Sequence, residues 1–124
     1  MLRFGLTVIG AEDLDRAEWF WCQALGYEVL LTQSGGNWRE LGPPGGPAVL
    51  GLQHSDVPVR HDPRLHVDLN TDSPQEQQAE AERLLLLGAQ RVDWEHYPDD
   101  PDFVVLADTE GNRFCVVDVS HGTT

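Results

Sequence analysis

The segment Leu65-His66-Val67-Asp68-Leu69-Asn70 holds the side chains best suited to chemistry. In an extended strand, His66, Asp68 and Asn70 share one face, while Leu65, Val67 and Leu69 share the other. The apolar face must pack on another element, which leaves the polar face to a cavity or to water. An imidazole titrates near neutral pH, so His66 is a candidate general base. It can equally donate to a ligand or serve as a hydrogen-bonded structural histidine, and the three readings stay open. Asp68 is placed to orient such a base. Residues i and i+2 on a strand stand about 6.6 Å apart, however, so spacing alone does not give a contact. Cys115 shares a strand face with Arg113 and Val117. A cysteine there is more often a small buried hydrophobe than a nucleophile, and only Arg113 is at hand to lower its pKa. Trp38 and Glu40 alternate with Arg39 and Leu41. Trp38 is therefore a candidate either for stacking on a flat ligand or for packing against a second copy.

The elements that must position these residues follow from pattern. Phe4–Ile9 reads as a first strand, and Asp13 as the N-cap of a helix with Leu14, Ala17, Trp21 and Ala24 or Leu25 on one face. Trp19 and Trp21 cannot both face its core. Gly26 stops the helix. Tyr27–Leu31, Asn37–Leu41 and Ala48–Gln53 read as strands, with a turn at Gly35-Gly36. Residues 55–63 form a linker. A second half begins with a strand over Arg64–Asn70. Ser73-Pro74-Gln75-Glu76 is a capping box with Pro at the first helical position. The Leu84–Leu87 run is apolar on every side, so that helix end is expected to be buried. Gly88 stops the helix, and Gln90–Asp93 is a short strand. Trp94, His96 and Tyr97 lie in a loop that either overhangs a site or is pinned by its own aromatics. Phe103–Ala107 and Arg113–Val117 form a hairpin around Asp108-Thr109-Glu110-Gly111-Asn112.

The halves read alike: strand, helix, Leu-Gly stop, three strands. Module one covers about 1–54 and module two about 64–119 of a single domain, an α+β order rather than a doubly wound sheet. The 124 residues suit one domain. A net charge of −13 repels phosphate backbones and anionic lipid, which excludes nucleic-acid and membrane-surface partners. No apolar run reaches the roughly 20 residues of a membrane span, and no signal peptide is evident, so a cytoplasmic protein is expected. The two cysteines are too few for a disulfide scaffold and show no zinc-module spacing.

Four segments carry a family resemblance: Ala11-Glu12-Asp13-Leu14-Asp15-Arg16-Ala17, Leu65-His66-Val67-Asp68-Leu69, Leu86-Leu87-Gly88-Ala89, and Leu106-Ala107-Asp108-Thr109-Glu110-Gly111-Asn112-Arg113-Phe114. The chain resembles the vicinal oxygen chelate superfamily of glyoxalase I, bleomycin-resistance proteins and extradiol dioxygenases. It departs from the family at Thr109, where Pro is usual. The resemblance implies two βαβββ modules in a curled mixed-sheet cup (the glyoxalase/bleomycin resistance fold) and a homodimer. It also implies metal ligands on the first, fourth, fifth and eighth strands. Those positions fall at or near Leu6, at Gly51 with Gln53 on the same face, at His66 and at Cys115.

A catalytic divalent metal needs about three protein ligands, and neither Leu nor Gly ligates through its side chain. Extradiol chemistry needs two His and one carboxylate. No cofactor is therefore expected, and a divalent metal would have little beyond His66 and Cys115 to hold it. The expected function is metal-independent binding of a small organic molecule, aromatic or cationic, in a pocket of Trp38, Gln53, His66, Asp68 and Cys115, as in sequestering resistance proteins. The alternatives are a lyase or isomerase with His66 as acid/base or sole remaining metal ligand, and a ligand-free dimeric scaffold.

Overall fold

The computed structural model describes residues 1–32 and 36–122. Gly35 of the expected Gly35-Gly36 turn lies outside the described residues. Two units emerge, Met1–Val59 and Arg60–Thr124, each carrying one helix and one four-stranded mixed sheet that does not close on itself.

In the first unit, β1 (Thr7–Ala11) runs into α1 (Leu14–Leu25), followed by β2 (Glu28–Thr32), β3 (Trp38–Gly42) and β4 (Leu50–His54). The sheet order is β1-β4-β3-β2, with β1 and β4 parallel and the other pairs antiparallel. Asp13 caps α1 by accepting the Arg16 N–H at 3.1 Å, and Gly26 ends it with φ +67°, a conformation that costs glycine no Cβ clash. Helical spacing turns Leu14, Ala17, Phe20, Trp21 and Ala24 inward. They meet the sheet face of Leu41, Leu50 and Leu52, and burying each large side chain contributes roughly 2–3 kcal/mol. Trp21 is 1% exposed and Trp19 52%, which settles which tryptophan joins the core. Arg39, on that same sheet face, donates to Asp15 at 2.8 Å and Glu18 at 2.9 Å across the helix.

The second unit repeats the plan: β5 (Val67–Thr71), α2 (Pro74–Leu86), β6 (Gln90–Arg91), β7 (Phe103–Ala107) and β8 (Arg113–Asp118), in the order β5-β8-β7-β6. The Ser73 hydroxyl accepts the Glu76 N–H at 3.1 Å, and Pro74 opens the helix as expected. The helix packs on β8 and β5 through Ala81 and Leu84, against Phe114 and Val116. Gln77 Nε2 donates to the Val116 and Asp102 carbonyls at 3.0 Å each. The expectation of a wholly buried leucine run is corrected here. Leu84 is buried, but Leu86 is 89% exposed, because only one side of the last helical turn meets a sheet.

The closing hairpin forms as the turn chemistry indicates. Asp108 is 1% exposed, and its Oδ1 accepts the Glu110 N–H at 2.8 Å and the Asn112 N–H at 2.9 Å, while Gly111 takes φ +89°. Strand starts shift from the expected ones. β1 begins at Thr7 rather than Phe4, and β5 at Val67 rather than Arg64, so His66 sits one residue ahead of its strand.

Candidate functional site

Register explains how the second unit gathers its polar side chains. β5 and β8 are parallel, with Asp68 the partner of Cys115, and β7 lies on the other side of β8 with Val105 opposite Cys115. Side chains of paired residues emerge on one face. Asp68, Cys115 and Val105 therefore form a row, flanked by His66, Phe103, Arg113 and Val117 at two-residue steps. The opposite face, with Phe114 and Val116, is given to α2. The polar row borders a pocket of about 580 Å³, walled by Trp94, His96, Phe103, Val105 and Val117 among others, with Asp62, Asp68 and Asp102 also lining it.

At one end of this pocket, His66 Nε2 stands 3.0 Å from Asp68 Oδ1, both side chains being about half exposed. The contact that strand spacing left open is made because His66 lies just outside the strand and is free to turn toward Asp68. Cys115 is buried, with Asp68 its register partner on the adjacent strand. Burial first, then the charge and hydrogen bonding of Asp68, and then the charge of Asp102 push the Cys115 thiol up to about 11. In this state Cys115 is a protonated, weakly nucleophilic thiol. The ligating atoms of His66, Asp68 and Cys115 all lie within 4.8 Å of one another.

The loop after β6 both closes on itself and lines the pocket. Trp94 and His96 pack edge to face at 5.2 Å, and His96 Nε2 is 3.2 Å from Asp62 Oδ2. Tyr97 Oη accepts the Val105 N–H at 2.8 Å, and its ring lies 5.3 Å from that of Phe103. Arg113 lines the pocket too, with its guanidinium donating to the Gly111 carbonyl at 3.0 Å and standing 2.9 Å from His61 Nδ1.

This duplicated layout has a counterpart among known proteins. A family model described as a glyoxalase-like domain matches residues 6–117. The chain belongs to the glyoxalase-like domain family. Solved structures with the same fold include a glyoxalase/bleomycin resistance protein/dioxygenase family enzyme from Burkholderia phytofirmans PsJN. The two chains are 15% identical with a TM-score of 0.70, over 93% of this chain and 97% of that one. A glyoxalase-related enzyme from Fulvimarina pelagi is also 15% identical with a TM-score of 0.70, over 95% and 88%. The fosfomycin resistance protein FosX of Listeria monocytogenes, seen as an E126Q mutant with Mn(II) and 1S,2S-dihydroxypropylphosphonic acid, is 13% identical with a TM-score of 0.71, over 94% and 90%. No curated protein matches the chain.

The metal set that the superfamily resemblance implies does not fit this glyoxalase-like domain. Its first-strand and fourth-strand positions are hydrocarbon. A Cβ at Gly51 would stand 2.9 Å from Leu6 Cδ1, 3.0 Å from Trp38 Cη2 and 3.2 Å from Val8 Cγ2, so the space beside Gly51 is already filled. Trp38 lies there with its Nε1 donating to Glu40 Oε2 at 2.9 Å. Trp38 and Gln53 are register partners on the first unit's sheet, whereas His66, Asp68 and Cys115 gather in the second. Among the described residues, Asp68 is the donor that a strand-by-strand transfer from the family leaves out. Phe103 and Val105 were legible in principle, since the hairpin register sets them opposite Val117 and Cys115. Asp62 had no signal, because it comes from the linker. Among the described residues, no helix is long and apolar enough to cross a membrane.

Proposed function

We propose that this glyoxalase-like protein binds a small organic molecule in the pocket of its second unit. The carrying observation is the pocket itself. Its volume of about 580 Å³ lies within the range of ligand sites, roughly 300–1,000 Å³, and it joins apolar walls to a few convergent polar groups. Trp94 and Phe103 give the pocket aromatic walls suited to a flat body, and Asp62, Asp68 and Asp102 favour a ligand carrying an amine or other cation. None of these contacts calls for a metal. Exposed apolar side chains, Trp19 in the first unit and Leu86 in the second, suit the homodimer expected from the family, which light scattering at known concentration tests.

A thermal-shift panel of aromatic amines with their neutral and anionic analogues tests the binding reading. Ligand at 100 times its Kd stabilises by about 2.7 kcal/mol. Cationic members are expected to raise Tm in the wild type and not in Trp94→Ala or Phe103→Ala. A panel without a Tm rise, or a rise that survives both substitutions, overturns the reading.

The 3.0 Å contact between His66 and Asp68 favours a second reading, in which the same pocket carries lyase or isomerase chemistry with His66 as acid/base. Under that reading His66→Ala keeps ligand-induced stabilisation and loses turnover.

A further inference from the structure

The two units place different chemistry on one lattice. Val8 stands five residues before the cap Asp13, and Asp68 five residues before the cap Ser73. Val8 pairs with Gly51 across the parallel strands as Asp68 pairs with Cys115. Leu6, Val8 and Gly51 thus hold the positions that His66, Asp68 and Cys115 hold in the second unit. The first unit fills these three positions without a polar side chain, so the architecture does not require an imidazole, a carboxylate and a thiol to converge in the second.

We propose that His66, Asp68 and Cys115 form a thiophilic divalent-metal site of the zinc type, contained within the second unit. It replaces the divided set whose first-unit positions are Leu6 and Gly51. Zinc takes Cys sulfur at about 2.3 Å and His nitrogen or carboxylate oxygen at about 2.0–2.2 Å, so donors on one tetrahedral ion stand roughly 3.3–3.8 Å apart. The observed donors lie within 4.8 Å of one another. Closing the difference takes a shift of about 1 Å, shared by His66 and Asp68, whose side chains are half exposed. Cys115 and Asp68 are register partners on adjacent strands, so the backbone beneath two of the three donors is fixed. Three protein donors leave a fourth position open toward the pocket, the arrangement of a catalytic rather than a structural zinc site. A thiolate in the set selects Zn(II) or Co(II) over Mn(II) and Mg(II), which prefer all-oxygen shells.

The site is independent of the organic ligand, because the probe is the metal alone. The full chain, stripped with chelator, is titrated with Co(II) and, separately, with Zn(II), Mn(II) and Mg(II). Expected are one Co(II) per chain with a thiolate-to-cobalt charge-transfer band in the near ultraviolet, displacement by Zn(II), and at least tenfold weaker Mn(II) binding. The band is expected to vanish in Cys115→Ser, persist in Cys22→Ser, and lose at least tenfold in affinity in His66→Ala and Asp68→Asn. Chelator-treated melting curves of the variants should match the wild type, which separates lost binding from lost folding. Absence of the band, its survival in Cys115→Ser, or Mn(II) binding as tightly as Zn(II) overturns the assignment.

Discussion

Cys115 offers the sharpest test of the local electrostatics. With its thiol pushed up to about 11, the thiolate fraction at pH 8 is about one in a thousand, against about one in ten for an unperturbed group near 9. Alkylation runs through the thiolate, so Cys115 should react about a hundredfold more slowly at pH 8 than a free thiol, with the rate climbing until about pH 11. The measurement is iodoacetamide modification in a Cys22→Ser background with chelator present, followed by mass spectrometry across pH. Asp68→Asn removes the negative charge beside the thiol and weakens the acceptor of its hydrogen bond. Burial, the largest cause, remains, so the midpoint should fall toward 9 without reaching it. The stability consequence has a definite sign. The folded chain holds this proton to higher pH than the unfolded chain, so the contribution is complete below pH 9 and is lost as pH rises toward 11. A wild-type midpoint near 9, or one that Asp68→Asn leaves unmoved, would refute the reasoning.

Other substitutions probe the framework. Gly51→Ala should destabilise by about 1–3 kcal/mol in urea titration, since its Cβ meets Leu6 at 2.9 Å and Trp38 at 3.0 Å. Asp108→Ala should cost about 2–3 kcal/mol by stranding the Glu110 and Asn112 N–H groups, read in the same assay. Leu84→Ala should cost about 2–5 kcal/mol, whereas Leu86→Ala should stay within about 0.5 kcal/mol in a dilute monomer, a contrast that thermal melts resolve.

Caps, turn residues and strand parity made most of the fold legible. Asp13, Ser73, Gly26 and the Asp108–Asn112 loop each act through local hydrogen bonds or backbone conformation that the residue type dictates. The separation of Trp38 and Glu40 from Arg39 and Leu41 followed from the pleat alone. What failed was whatever depended on a distant partner. The exposure of Leu86 is decided by which side of the last turn of α2 meets the sheet. His66, Asp68 and Cys115 were expected in one pocket through strand parity and the family resemblance, whereas the direct pairing of Asp68 with Cys115 comes from the β5–β8 register, which no local pattern encodes.

Placing β8 between β5 and β7 also orders events in time. The strand that completes the second sheet is made after β5, β6 and β7, and its first-unit counterpart β4 likewise follows β1, β2 and β3. Until β8 emerges, β5 has an open hydrogen-bonding edge and β7 lacks its hairpin partner, a situation that invites pairing with other chains. Closing the β5–β8 ladder brings together residues nearly fifty positions apart, such as Asp68 and Cys115, so this pairing carries the largest loop-closure entropy in the unit. The trio is therefore assembled only once β8 has been made, and a chain truncated within β8 lacks both its pocket and the ladder that protects β5.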